Sequence, residues 1–259
     1  MRLLTRAVAS ASRRLGRPEL LAAVNAVARQ AQREDVGVSA VLACALGGDG
    51  TYVDIGANRG QVLREAVRVA PRGTHIAFEP IPQLAAELAH AFPQVDCRNR
   101  ALGARAEVAE FCHFRQLDGW SGLRRNPLIS DSRGDPEYIS VEVSTLDEEM
   151  GDLTPNVVKI DVEGAELAVL EGARSVLREA RPVVIFEHVY DAAEPYGVAP
   201  GAPWDLLTDL DYEIFSATGD GPFTRSAFTQ STSVVNWLAT PHTRRGVRGQ
   251  APDSRDDSP

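Results

Sequence analysis

Residues 157–173 read VVKIDVEGAELAVLEGA. The first four, Val157 to Ile160, are β-branched apart from one lysine and predict a short buried strand. The strand breaks at Asp161-Val162-Glu163-Gly164, where Gly164 permits a tight turn, and the remainder carries the apolar spacing of an amphipathic helix. Lys159 and Asp161 lie two residues apart, hence on one face of the strand. A buried ammonium requires a paired carboxylate. Asp54 and Glu187, on other strand ends, are the candidates, and the expected result is a structural ion pair bracing the floor of a ligand site. Lys159 is also the chain's sole lysine, every other basic residue being arginine. Either a compact ammonium is required where a planar guanidinium would not fit, or one lysine survived a coding bias toward arginine.

Around this stretch the chain alternates between strand and helix patterns. TYVDIG at 51–56, HIAFEP at 75–80 and VDCRNRAL at 95–102 read as strands, with helices over Gln61–Ala70 and Gln83–Phe92 between them. VAEFCHF at 108–114 is a further strand, and YISVEVSTL at 138–146 alternates as an antiparallel accessory strand should. PVVIFEH at 182–188, YEIFSA at 212–217 and SVVNWLAT at 233–240 complete the set, with a helix near Pro203–Leu210. Strands separated by helices predict an α/β, doubly wound, mostly parallel sheet, with the carboxyl ends of its strands on one ligand-binding rim. Residues 1–50 read as an N-terminal helical segment serving as cap or lid, with helices at Pro18–Arg33 and Val36–Leu46. Residues 51–240 form the ligand-binding domain, and the polar stretch 241–259 reads as a disordered tail.

The 259 residues are 44% hydrophobic, enough to bury a full core. No apolar run is long enough to span a bilayer. Arginines crowd the first seventeen residues, which fits an amphipathic surface helix and raises the alternative of a transit peptide. Three scattered cysteines (Cys44, Cys97, Cys112) give neither a disulfide framework nor paired metal-ligand spacing, so a reducing, cytoplasmic setting is expected. The formal charge of −9 is concentrated between two net-basic ends, and such a surface repels phosphate backbones, which argues against nucleic acid as partner.

The first rim element is VDIGANRG at 53–60. Gly56 lets the chain turn off the strand, Gly60 lets the next helix begin close to a ligand, and Asp54 and Asn58 aim polar groups at it. Glu79 follows at the end of the second strand, where a carboxylate accepts the hydroxyls of a ribose. A dinucleotide would need a glycine where Asn58 stands, and an acid before the turn repels a pyrophosphate. The loop therefore suits a ligand with a cationic amine and a sulfonium, S-adenosylmethionine, better than NAD.

YVDIGANRGQ, AFEPIPQLAAEL, NRALG, STLD, VVKIDVEGAELAVLEGA and the late NWLA occur here in an order that resembles the FkbM family of S-adenosylmethionine-dependent methyltransferases. The likeness runs from Thr51 to Ala239, and KIDVEGAE is its most specific element. It implies a class I methyltransferase (Rossmann-like) fold, a seven-stranded sheet with an antiparallel last strand, and O-methylation of a sugar or natural-product hydroxyl. It further implies that Asp54, Gly56, Asn58 and Gly60 line the methionine end of the cofactor. Glu79 would hold the ribose with Pro80 shaping its turn, and Asn99 and Ala101 would lie near the adenine or its ribose. FRQLDGWSGLRRN at 114–126 matches the family only in part, leaving Ser121 as a substrate contact in doubt.

Methyl transfer to an aliphatic hydroxyl needs a base within reach. His188 is the first candidate by its ordinary pKa, Asp161 is its competitor, and Glu163 stands beside them. Glu163 and Glu166 have a plainer reading as acids favoured in a helix's first turn. Asp161, Glu163, Glu187 and His188 could alternatively gather Mg²⁺, although nothing in their spacing demands a metal. The competing functions are an NAD(P)-dependent oxidoreductase and a cofactor-binding scaffold without turnover. The acceptor, a small molecule or glycan with a free hydroxyl, would sit among 103–136, 191–204 and the N-terminal helices, with Trp120 and Trp204 as candidate walls.

Overall fold

The computed structural model describes residues 17–127, 129 and 135–242. The arginine-rich opening and the tail beyond residue 242 lie outside them. β1 (Tyr52–Ile55), β2 (His75–Phe78), β3 (Asp96–Arg98), β7 (Val157–Ile160), β8 (Val183–Glu187), β9 (Tyr212–Ser216) and β10 (Asn236–Pro241) form one sheet in the order β3-β2-β1-β7-β8-β10-β9. Its pairs are parallel except where β10 runs antiparallel to both β8 and β9. This is the arrangement that the family resemblance implied, a doubly wound, mostly parallel sheet with its last strand antiparallel. Pro241 pairs with Tyr212, so the last strand reaches into the stretch read as a tail.

Alternation along the central strands assigns the two faces. Tyr52, Val157 and Ile185 point into a cluster with Leu63, Leu88 and Phe92. Val53, Ile55, Val158, Ile160 and Phe186 point oppositely, toward Leu146, Val169, Leu177 and Leu207. Both faces are covered by helices, which is why these strands read as continuous apolar runs.

The third strand is shorter than the sequence suggested. After Arg98 the chain leaves the sheet, and Ala101–Leu102 (β4) joins β6 (Glu137–Ser144) and β5 (Glu107–His113) in a second sheet of order β4-β6-β5. The β5–β6 pair is antiparallel, as its alternating pattern predicted. The helix after β7 is likewise two pieces, Glu166–Glu171 and Arg174–Glu179. They meet at Gly172, where a Cβ would collide with the Gly103 carbonyl.

A larger difference concerns the N-terminal segment. Two helices were expected; the structure has one, Arg17–Leu46. Glu34 and Asp35, left between the two expected helices, lie within it, and Glu34 is only 1% exposed and serves as an anchor. Its carboxylate accepts from the backbone N–H groups of Val235 and Asn236 at 3.4 and 3.2 Å, from Asn236 Nδ2 at 3.0 Å and from Gln30 Nε2 at 3.0 Å. Gly37, an unfavourable helix residue, lets the helix press against the Ala217 carbonyl. Val38, Leu42 and Leu46 then enter the same core cluster as Tyr52 and Leu63, each fully buried leucine contributing about 1.5–3 kcal/mol. Among the described residues no helix is long and apolar enough to cross a membrane.

Glu34→Ala removes the acceptor from two buried backbone donors while leaving the helix sequence otherwise intact. A loss of about 2–4 kcal/mol is expected in denaturant unfolding, since each stranded donor costs about 1–3 kcal/mol. A loss under about 0.5 kcal/mol would show that the helix docks by apolar contact alone.

Candidate functional site

The strand ends of β1, β7 and β8 lie side by side, and register fixes which side chains meet. Asp54 is paired with Lys159 across β1–β7, and Lys159 with Ile185 across β7–β8. Asp54, Lys159, Asp161 and Glu187 thus fall on one face, that of Tyr52 and Ile185. Lys159 is 7% exposed, with its Nζ 3.3 Å from Asp161 Oδ2 and 3.5 Å from Asp54 Oδ1. Burial works against its charge, but Asp161, Asp54 and Glu187 together outweigh it and push its pKa up to about 12. The ammonium is therefore permanent at neutral pH. Of the two expected partners, Asp54 is in contact with the ammonium, Asp161 is a nearer contact that was not expected, and Glu187 acts on it through its field.

Two cavities open on this rim. The smaller has largely apolar walls, including Ile55, Phe78, Ala101, Leu102 and Phe111, and Glu79 and Pro80 at one edge. Glu79 is buried. Its Oε2 accepts from the Asn58 N–H at 2.8 Å and its Oε1 from the Ile81 N–H at 3.0 Å, which leaves one lone pair per oxygen for a ligand. Burial pushes its pKa up to about 7, against the pull of those two donors. Asn58 reaches Glu79 because it adopts φ 50°, a left-handed conformation that asparagine tolerates. Asn99 lines neither cavity. Its Nδ2 donates to the carbonyls of Glu79 and Pro80 at 2.9 and 3.0 Å, fixing the backbone that carries the acid.

The larger cavity, about 830 Å³, lies between the rim and the helix Arg17–Leu46. Asp54, Lys159, Asp161 and Glu187 form its floor, Glu34, Val38 and Leu42 one wall, and Arg115 and Trp120 the other. Gly56, Asn58, Asp118, Gly119 and Asp161 line both cavities, so the two are continuous. A strap crosses their junction. Asp118 accepts from Arg59 at 2.7 Å and bonds His113 at 3.1 Å, while the Ser121 hydroxyl accepts from the Phe114 N–H at 3.0 Å. Ser121 thus closes the strap on itself, although it also lines the smaller cavity.

The glycines act differently from the expectation. Gly56 has φ 78°, and a Cβ there would collide with the Asp161 carbonyl, so it allows β1 and β7 to end side by side. Gly60 lines neither cavity; a Cβ would meet Phe92 at 2.6 Å and Leu88 at 2.9 Å. Its requirement is core packing. Gly164 similarly clears the Ala192 carbonyl.

The three expected catalytic residues do not converge. Asp161 stands at the junction of the cavities. Glu163 adopts φ 57° and lines only the smaller one, with Asn126 Nδ2 3.3 Å from its Oε2. His188 is one residue past Glu187 and therefore points to the opposite face, where it stacks on Phe228 at 5.6 Å and lines neither cavity. Its reading as the base is corrected by that alternation. Glu166 is buried and accepts from the N–H groups of Val162 and Gly164 at 3.3 and 3.0 Å, which holds the turn bearing Glu163. Trp204 packs on the core and donates to the Phe223 carbonyl at 2.9 Å, so only Trp120 of the two reaches the larger cavity.

Nor do the four proposed Mg²⁺ ligands meet. Among the described residues no three of His, Cys, Asp and Glu form a set able to hold a metal. Lys159 already supplies the cation among the floor carboxylates. Sequence reasoning missed Glu34, Asn236, Arg59 and Asp118, whose roles depend on contacts up to 202 residues apart in the chain.

The Methyltransferase FkbM domain matches residues 54–214, more than half of the chain. The chain belongs to the FkbM methyltransferase family. Methyltransferase 1 of Beauveria bassiana is 30% identical over 194 residues, which cover 66% of this chain and 67% of that one. Methyltransferase FkbM from Methylobacillus flagellatus KT has a TM-score of 0.47 at 17% identity, covering 74% of this chain; the match spans only 44% of that longer protein. A TehB-like SAM-dependent methyltransferase from Corynebacterium glutamicum has a TM-score of 0.43 at 9% identity, covering 79% of this chain and 85% of its own. In this FkbM methyltransferase the matched residues contain Asp54, Glu79, Lys159, Asp161 and Glu187. Glu34 and Asn236, which tie the long helix to the rim, fall outside them.

Lys159→Met leaves Asp54 buried without a counter-charge, which costs about 3–5 kcal/mol at neutral pH. With the ammonium gone, the carboxyl's folded-state pKa rises further above its unfolded value. The deficit should therefore shrink as pH falls toward 5 and the acid takes up a proton. Lys159→Arg should also lose stability, because a planar fork replaces a compact ammonium in a closed space. Urea unfolding at pH 5 and pH 7.5 measures both, and variants matching wild type at each pH would show that the lysine is incidental.

Proposed function

We propose that this protein transfers the methyl group of S-adenosylmethionine to a hydroxyl of a sugar, glycan or secondary metabolite. The observation that carries the reading is Asp161, a carboxylate at the junction of an apolar cavity edged by Glu79 and a large polar one. The chain's residues fit the cofactor on several counts. The smaller cavity offers apolar walls for a purine and the free lone pairs of Glu79 for a ribose diol. The larger one is lined by Asp54, Asp161 and Glu187, carboxylates that suit an arriving ammonium beside Lys159, which lies 3.5 Å from Asp54 and 3.3 Å from Asp161.

Bound there, the cofactor supplies an electrophilic methyl on a positively charged sulfur. Asp161 accepts the proton of the acceptor hydroxyl as the oxygen attacks, a contribution of about 10²–10⁴ in rate. Lys159 holds that carboxylate in place at 3.3 Å. The larger cavity is roomy enough for an acceptor of the size of a sugar or a natural product beside the cofactor's amino-acid end. An oxidoreductase reading fares worse, since Asp54 would face a pyrophosphate.

Asp161→Asn should lower kcat by about 10²–10⁴ while changing the cofactor Kd far less, as read by methyl release onto hydroxylated acceptors. Titration calorimetry that finds NAD bound and S-adenosylmethionine unbound would refute the reading, and binding without turnover on any acceptor would favour a scaffold.

Glu79 gives a pH signature. With its pKa raised to about 7, its contribution to stability is complete below about 4.5 and lost as pH rises through 7. A ribose diol donates to the ionised form, so cofactor binding must expel a proton below pH 7. Affinity should then fall about tenfold per pH unit below 7, with close to one proton released per site at pH 6. Calorimetry in two buffers of different ionisation enthalpy measures this, and Glu79→Gln should abolish the proton release.

A further inference from the structure

The strap over the junction, residues 114–121, has its own closure and its own small core. The backbone pair Cys112–Gly122, bonded in both directions at 2.8 and 3.1 Å, fixes its base, together with the Ser121 hydroxyl on the Phe114 N–H at 3.0 Å. Leu117 and Trp120 pack with Cys112, Phe114 and Ile129, a cluster separate from the two that cover the main sheet. Arg115 pairs with Glu137 of β6 at 2.6 Å, and His113 bonds Asp118 Oδ1 at 3.1 Å, so these contacts stay within the second sheet and its strap. The tip differs. Arg59, in the loop after β1, places Nη2 2.7 Å from Asp118 Oδ2 and Nη1 3.1 Å from Glu87 on the helix Pro82–Ala91. One guanidinium thus joins the tip of the strap to the main-sheet side of the site.

The residues that line both cavities are Asp118 and Gly119 of the strap and Gly56, Asn58 and Asp161 of the rim. Resting on the cofactor reading above, we propose that the strap is a gate on cofactor exchange and that Arg59 is the latch that holds it shut. A ligand with its nucleoside in one cavity and its amino-acid end in the other runs between strap and rim. With the latch closed, one of those ends must thread through the junction. Lifting the tip breaks the Arg59–Asp118 pair and opens the way. Because the strap carries its own apolar cluster, this movement leaves both main cores intact. The latch is built to give way: the side chains of Arg59 and Glu87 are 59% and 48% exposed, and only Asp118, at 15%, is well covered. Such a pair is modest in strength and screened by salt. The open strap is the common intermediate of entry and exit, so the latch sets both rates and leaves their ratio unchanged. Arg59 is a positioning residue in this scheme, acting on the ligand through the strap.

Binding kinetics decide the matter without any acceptor. Surface plasmon resonance with S-adenosylhomocysteine, whose ammonium and carboxylate leave it without net charge, reads kon and koff separately on wild type, Arg59→Ala and Arg59→Lys. Thermal unfolding confirms that each is folded. Arg59→Ala should raise kon and koff together by about three- to tenfold, as expected for one partly exposed, charge-assisted pair, with Kd moving less than about twofold. Arg59→Lys keeps a point charge for Asp118 but loses the fork that reaches both acids, and should fall between. Raising sodium chloride from about 0.05 to 0.5 M should speed exchange on wild type and not on Arg59→Ala. A higher koff without a higher kon would place Arg59 on the ligand itself and overturn the gate. Rate constants on Arg59→Ala that stay within about twofold of wild type would overturn it as well, and the cofactor reading survives either result. Should Arg59→Ala fail to fold, the salt series on wild type upholds the gate if both rates rise and overturns it if they do not. If S-adenosylhomocysteine does not bind wild type, both inferences fall.

Discussion

One ammonium organises this rim. Three neighbouring strands bring Asp54, Asp161 and Glu187 onto one face, and without Lys159 these carboxylates would repel one another in a space where burial already penalises charge. The contacts at 3.3 and 3.5 Å make the arrangement tenable. A buried ion pair is seldom a net source of stability compared with apolar packing. Its presence here is better understood as the condition for placing acids at a strand end where a ligand arrives.

The geometry around that ammonium divides labour between the two cavities. One side of the junction is apolar and edged by a single acid whose proton is easily exchanged near neutrality. The other is polar, wide and charged. Asp161 belongs to both, and Gly56 makes this possible by clearing the Asp161 carbonyl so that β1 and β7 end in register. A side chain at Gly56 would separate the strand ends, moving Asp161 away from Lys159 and opening the junction. The glycine is thus a requirement of strand packing first, and its effect on a ligand is indirect.

Much of this was legible in the sequence. Apolar runs, glycine breaks and acids at strand ends are local signals, and they led to the doubly wound sheet, to Asp54 and Glu187 as candidate partners of Lys159, and to Glu79 at a cavity edge. What was illegible was set by distant contacts. The polar pair at 34–35 was left between two helices, and nothing nearby indicates that Val235 and Asn236 would donate their N–H groups to Glu34. His188 was favoured for its chemistry, yet strand alternation past Glu187 turns it toward Phe228. The period-two rule was available in the sequence and, applied one residue further, would have rejected it. Asn99 illustrates a third kind of error: its side chain supports the backbone of Glu79 rather than meeting a ligand, a distinction that only the hydrogen bonds reveal.

The residues that make the floor and those that make the wall have separate origins in the chain. Asp54, Lys159, Asp161 and Glu187 all lie within the stretch matched by the FkbM domain, whereas the long helix and the start of β10 lie outside it. The helix is attached to the rim by the Glu34 carboxylate, which bonds Val235 and the first residue of β10, Asn236, and by the apolar docking of Val38, Leu42 and Leu46. A cavity built this way can change its wall without disturbing its floor, because substitutions along Ala31, Asp35 and Ser39 leave Glu34, Gly37 and the buried Val38 in place to hold the helix. The chemistry is then fixed by strand register, while the shape offered to a second molecule is free to vary on an exposed helix face.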